Sequence, residues 1–443
     1  MQTVFCVTGS GRAPDSFSPS LSGGIQRMQT TLAALAVITV GYILAYLLFD
    51  RLRDRYGYVG GAEYVIIGFL LGPRVTGLLD AGQVQDLTPI VSLALGWLGM
   101  LLGTYFRLPT MALIDGDHLR VAFAEAVATF GTALAALLGL FRYLAGMPWG
   151  EAAVLSVTLA AVATLSSPVA VDAVVDRLRV RSRVPPVLQL AARIDALIAV
   201  VAFGLVLAIF HQGDVAPGVR PPTATEWAVI NVAVGVASGV LFHLFLGPRG
   251  HLDEGRLFVA LAGAIVVASG ASYYLHLSPI FTSLVLGFIL VNSGSAHRDV
   301  TRLLLSTERP VYLALLLFAG AAWSPGSVDL LFIAPLFVVI RVLSRFLGGA
   351  IAGGHVAPPA LRAPGLGRGL LALGGIGVAL ALNYGQVYPD LHPRLVLTAT
   401  LLSVLLFEIV ASREAAAFIL GLGNRPPDAQ VLEGQPGAVV EPG

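Results

Sequence analysis

Asp195 lies near the middle of an apolar run, Val184 to Phe210, and the run before it is interrupted by Thr164-Leu165-Ser166-Ser167-Pro168. One charge at the centre of a membrane-spanning helix costs roughly 2.5–3.5 kcal/mol, so an ionisable residue there marks a functional site with a partner. The interruption has the same force, because it frees backbone amides and carbonyls that are tolerated at that depth only inside protein or beside water. A carboxylate with hard oxygens around it could take a proton or a partly dehydrated Na+, K+ or Li+. Asp195 would supply the charge; Thr164, Ser166, Ser167 and the freed carbonyls would supply oxygens. Ala191, Ala192, Ile198 and Ala199 surround Asp195 on its helix, mostly small side chains that let a second backbone approach closely. The competing reading is a carboxylate that only neutralises an arginine. Arg193 and Arg341 are the candidates, with Arg193 two residues from Asp195 and so on another helical face.

Such residues need a chain that lives in lipid. The 443 residues are 56% hydrophobic and 12% charged, with a mean hydropathy of +0.83, which defines an all-α polytopic membrane protein. There is no lysine, and the arginines sit mostly between apolar runs, leaving no basic patch for nucleic acid. The single cysteine, Cys6, excludes an internal disulfide framework and a cysteine-based metal cluster. His211, His243, His276 and His297 have no metal-ligand spacing, and no glycine-rich phosphate motif follows a strand, so no cofactor is expected.

At roughly 20 apolar residues per crossing, about 13 transmembrane helices are predicted, at 29–49, 60–80, 89–106, 118–143, 150–176, 184–210, 225–247, 255–275, 278–293, 306–324, 328–354, 366–386 and 394–420. Residues 1–28 read as a disordered extension, with Met28 opening a second Met-Gln-Thr that is an alternative start. Residues 422–443 read as a disordered Pro- and Gly-rich tail. Alternate loops collect the arginines, such as Arg51, Arg53 and Arg55, or Arg177, Arg179, Arg181 and Arg183. Cytoplasmic loops carry that excess, so the pattern predicts an inner or plasma membrane protein with its N-terminus outside and its C-terminus cytoplasmic. Glu63, Glu125 and Arg74 fall toward the ends of their segments, where snorkelling or local pairing accounts for them. Gly68-x3-Gly72, Gly99-x3-Gly103 and Gly235-x3-Gly239 read as close helix packing.

The fifth segment breaks before Pro168, and the twelfth contains Gly374-Gly375-Ile376-Gly377 about halfway along. Each break precedes a helix with a mid-membrane carboxylate, Asp195 in the sixth and Glu408 in the thirteenth. Interrupted segments at corresponding places in two halves point to inverted repeats with two discontinuous helices, 5 and 12, and a binding site at the midplane. An odd offset of seven segments makes the repeats antiparallel and leaves 225–247 as a linker.

The order of the short words Gly68-Phe69-Leu70-Leu71-Gly72-Pro73, Ser166-Ser167-Pro168-Val169-Ala170-Val171, Ile194-Asp195, Arg341-Val342-Leu343-Ser344-Arg345, Gly374-Gly375-Ile376-Gly377 and Leu406-Phe407-Glu408-Ile409 resembles the monovalent cation/proton antiporter superfamily, of the bacterial Na+/H+ exchanger type. The resemblance spans about Met28 to Gly423. It implies an elevator-like homodimer in the bilayer, with a dimerisation part at 29–106 and 255–324 and a moving core at 118–210 and 328–421. It also implies that Arg341 occupies the family's basic position, paired with Asp195 or with Glu408. Departures bear on activity: Ser167 replaces an aspartate common at the first break, and Ile194 and Ala196 flank Asp195 where electrogenic members carry adjacent aspartates and a lysine in helix 11. Arginine keeps its proton, so Asp195 is the simplest proton carrier, and one carboxylate shared by one proton or one cation predicts electroneutral exchange. Asp195 also aligns with the first of the paired positions, which would leave Ala196 at the usual ion-binding one. A gated K+ efflux system of the same fold, or a transport-inactive sensor or scaffold, are the alternatives.

Overall fold

The computed structural model describes residues 21–423 apart from 57–60, 179, 181, 212–219, 221, 247–253, 294–296 and 326–327. Residues 1–20 of the expected extension and 424–443 of the expected tail lie outside the described residues. The helices are α1 Leu21–Tyr56, α2 Ala62–Leu71, α3 Ala81–Asp86, α4 Thr88–Thr104, α5 Leu108–Met111, α6 Gly116–Gly139, α7 Trp149–Thr164, α8 Pro168–Leu178, α9 Val184–Ile209, α10 Ala224–Leu246, α11 Glu254–Tyr274, α12 Pro279–Ser293, α13 His297–Ala322, α14 Val328–Ala350, α15 Gly375–Val387 and α16 Pro393–Gly423. Among the described residues no strand forms.

Among the described residues, eight helices are long and apolar enough to cross a membrane, and nine with the bent α16. Three more, α2, α4 and α12, are apolar but shorter. The remaining segment is a broken one, a 3-10 turn at Leu366–Leu370 followed by α15. These elements fall on the thirteen expected segments. Boundaries differ where the sequence has a specific stop. Gly72 leaves the helical conformation just before Pro73, so α2 ends at Leu71 rather than running to 80. α1 starts at Leu21, inside the stretch expected to be an extension, and α13 starts at His297 and passes through Pro310.

Glycine sets how closely the helices pack. α4 lies along α12 and α2 along α13, with α10 and α11 packed on this group. A Cβ at Gly99 would fall 2.1 Å from the Ile280 carbonyl oxygen, one at Gly103 2.2 Å from that of Leu284, and one at Gly68 2.0 Å from that of Leu317. Gly235 seats against the Thr282 carbonyl in the same way, and Gly239 against the Ile289 side chain. With lipid outside as apolar as the side chains inside, close backbone contact is what holds such helices together. In the second group α6 packs on α9 and α14, α7 on α9, and α16 on α14 and α15. α6 ends in a π turn at Leu140–Leu144 and α14 in one at Ile351–Val356, so spans 4 and 11 finish alike, as related repeats should.

Candidate functional site

The two breaks cross. After Thr164 the chain is extended at Leu165, and α8 begins at Pro168, whose missing N–H costs nothing in a first turn. The Ser167 N–H donates to the Ala372 carbonyl at 2.8 Å, stitching one break to the other. A Cβ at Gly374 would lie 2.9 Å from Ser167 Oγ, and one at Gly375 2.4 Å from the Tyr312 ring, so these glycines permit the crossing. Gly377 packs against Leu373 one turn further on. Each break frees carbonyls at the end of one half-helix and amides at the start of the next, giving opposed partial charges at mid-depth.

Asp195 sits at this crossing and is fully buried. Its Oδ2 accepts from Ser166 Oγ at 2.6 Å and from Arg345 Nη1 at 2.7 Å. The same Arg345 nitrogen donates to Glu125 Oε1 at 3.1 Å, and Thr129 Oγ1 donates to that oxygen at 2.8 Å. The second nitrogen, Arg345 Nη2, donates to the Thr164 carbonyl at the end of α7. One turn away, Arg341 Nη2 donates to the Leu165 carbonyl at 3.1 Å, and its guanidinium lies 4.6 Å from the centre of the Phe407 ring. Both arginines are fully buried. They are spaced i, i+4 on α14 and so share the face turned toward the break. Each satisfies a freed carbonyl at the negative end of a half-helix, the place where a cation is stabilised.

This geometry corrects the sequence-based pairing. Arg345, rather than Arg341, closes on Asp195, because α14 brings Arg345 level with the carboxylate while Arg341 meets Leu165. Arg193 points elsewhere, to Asp172 at 3.2 Å near the protein surface. Thr164 contributes its carbonyl; its hydroxyl donates back to Ala160 at 2.8 Å within the helix. Glu125 and Glu63, expected at interfaces, are buried; Arg74 is exposed. Glu408 stands apart from Asp195, among Gly61, Ala62, Tyr312 and Ser167. Glu125 and Thr129 are the residues that reading by spans missed. Their i, i+4 spacing on one face of an apolar helix was the available signal, as it was for Arg341 and Arg345.

Two features of the cluster bear on chemistry. Asp195 and Glu125 offset Arg341 and Arg345, so the ionised cluster is neutral, and Asp195 Oδ1 is buried with no hydrogen-bond partner. Ser166 has one hydroxyl proton and two acceptors within reach, Asp195 Oδ2 at 2.6 Å and the Leu370 carbonyl at 3.0 Å. With Asp195 ionised the proton belongs on the carboxylate side. Through Ser166 the carboxylate is linked to the Leu370 carbonyl at the start of the second break.

A many-spanned helical protein with two crossing half-helix pairs and a buried carboxylate between them is a membrane carrier of the inverted-repeat type. Residues 35–412 match the family described as sodium/hydrogen exchanger, transmembrane. A solved structure with the same fold is that of the sodium proton antiporter MjNhaP1 from Methanocaldococcus jannaschii at pH 8, with a TM-score of 0.64 and 13% sequence identity over 89% of this chain and 100% of that one. No curated protein matches the sequence. The chain belongs to the sodium/hydrogen exchanger family, within the monovalent cation/proton antiporter superfamily.

Proposed function

We propose that this protein exchanges a monovalent cation, Na+ or K+, for protons by alternating access, with Asp195 as the shared carrier. The observation that carries the reading is the fully buried Asp195 between the two breaks, with Oδ1 unclaimed by any hydrogen bond. A proton or one monovalent cation adds the same charge to a neutral cluster, so either occupant carries +1 across and the exchange is electroneutral. Ser166 couples the choice of occupant to the second break through Leu370, and Arg345 and Glu125 hold the carboxylate in place. The α1–α4 and α11–α13 group serves as the dimer scaffold and the α6–α9 and α14–α16 group as the moving core, in a homodimer with the N-terminus outside and the C-terminus in the cytoplasm.

The test is cation-driven proton flux by purified protein in proteoliposomes, run with Na+, K+ and Li+ and with imposed voltage. Proton-coupled flux with at least one cation, unaffected by voltage, is expected. Potassium flux with no counter-moving proton would favour a gated K+ efflux system. No flux with any of the three would mean a sensor or scaffold and would overturn the proposal.

A further inference from the structure

The two serines of the first break face different places. Ser166 belongs to Asp195, whereas Ser167 lines a separate cavity of about 40 Å³ bounded by Tyr312, Gly374, Glu408 and Ser412. A water needs ~10–15 Å³ of such space, so the cavity has room for one small ion with a water or two. Its wall holds a free acceptor, since Glu408 Oε2 is buried and has no hydrogen-bond partner. The other oxygen is anchored: Ala62 N–H donates to Glu408, and a Cβ added to Gly61 would fall 2.9 Å from Glu408 Oε1 and 3.3 Å from Tyr312 Oη. Glu63, also buried, is close enough to interact electrostatically with both Glu408 and Tyr312.

The donor set selects the occupant. Carboxylate, hydroxyl and phenol oxygens are hard ligands suited to an alkali cation, and the carboxylate repels an anion. Divalent-ion sites gain their affinity from ligand charge, and among the described residues Glu408 is the one carboxylate lining this cavity. The walls come from both helix groups: Ser167, Gly374 and Glu408 from one, Tyr312 of α13 from the other, with the start of α2 bonded to Glu408 behind the wall. We infer that this cavity is a second monovalent-cation site, separate from Asp195, whose occupant clamps the two helix groups in the present arrangement. The inference rests on the reading that the carrier handles monovalent cations.

The experiment uses the full chain in detergent and follows thermal unfolding in NaCl, KCl or LiCl against choline chloride at equal ionic strength. Ligand binding to the folded state raises the midpoint. In Asp195→Asn, at least one of the three salts should still raise it, by about 2 °C or more. Adding Glu408→Gln to that background should abolish the residual rise, and adding Ser167→Ala should raise the half-saturating salt concentration at least about threefold. The inference is overturned if Asp195→Asn responds to none of the salts, if the Glu408→Gln double variant keeps the rise, or if Ser167→Ala leaves half-saturation unchanged. Ser167→Ala decides the matter if the Glu408→Gln protein does not fold. Exchange retained by Asp195→Asn in proteoliposomes would be a separate failure, that of the carrier reading.

Discussion

Replacing Arg345 by glutamine removes the one cation that touches both Asp195 and Glu125. The variant keeps a polar but shorter, uncharged side chain and leaves two carboxylates in a region fully closed to solvent, where Arg345 now bonds them at 2.7 and 3.1 Å. Removing one partner of a buried ion pair costs about 3–5 kcal/mol, because the remaining charge stays desolvated and unpaired. In membrane proteins the unfolded reference state also finds partners, which trims such values. About 3 kcal/mol is therefore expected for Arg345→Gln. The charge mechanism makes a second, sharper demand. Arg345→Gln with Glu125→Gln carries one uncompensated acid fewer and should be more stable than the sum of the single losses by about 1–3 kcal/mol, the usual size of coupling between contacting groups. Equilibrium unfolding in mixed micelles, followed by circular dichroism across the four proteins of the cycle, measures both numbers. A single-variant loss below about 1 kcal/mol, or strict additivity, would refute the shared-cation reasoning.

The geometry sets further outcomes. Ser166→Ala removes a buried hydrogen bond to a charged group, worth about 1.5–3 kcal/mol, and should raise the cation concentration for half-maximal exchange by about tenfold; an unchanged value in the flux assay would remove Ser166 from the site. Gly99→Ala places a Cβ 2.1 Å from the Ile280 carbonyl oxygen and should cost at least ~1–3 kcal/mol, whereas Gly131→Ala, with nothing within 4 Å of the new atom, should gain about 0.5–1 kcal/mol from helix propensity; the same unfolding assay reads both. Arg193→Gln, on a surface pair with Asp172, should change stability by no more than ~1 kcal/mol and leave exchange intact, and a large loss of flux would reinstate it as a partner of Asp195. His211 stacks on Trp227 with ring centres 3.6 Å apart, and burial, then the nearby His276, hold its pKa below the ordinary value. The neutral form is favoured on folding, so this contribution is full above the unfolded value of about 6.5 and is lost as pH falls through it toward the folded value. The wild-type minus His211→Gln difference in tryptophan fluorescence should titrate with a midpoint below about 6.5, and one at or above that value would contradict the assignment.

Much of this is legible in the sequence alone. Asp195, Pro168 and Gly374-Gly375 announce themselves because polarity and broken helices are costly in lipid. The arginine-rich loops and apolar lengths fix the segment count for the same reason. What stayed hidden depends on the depth of one helix relative to another. Arg341 and Arg345 lie on the same face of α14, so spacing cannot say which of them stands level with Asp195, and the resemblance favoured the wrong one. Glu125 sits early in its segment and reads as interfacial until the packing of α6 on α9 and α14 buries it. The division of Ser166 and Ser167 between two places arises where the chain leaves the helix at Leu165 and before α8 begins at Pro168, which no spacing rule for helices would supply.

The most direct measurement is cation-driven proton flux by Asp195→Asn beside wild type, at matched protein density in proteoliposomes, with folding checked by circular dichroism. The neutral, equal-sized amide can take up neither the proton nor the charge of the cation, so flux should drop to that of protein-free vesicles while the fold persists. A folded Asp195→Asn protein that exchanges at the wild-type rate would contradict Asp195 as the carrier.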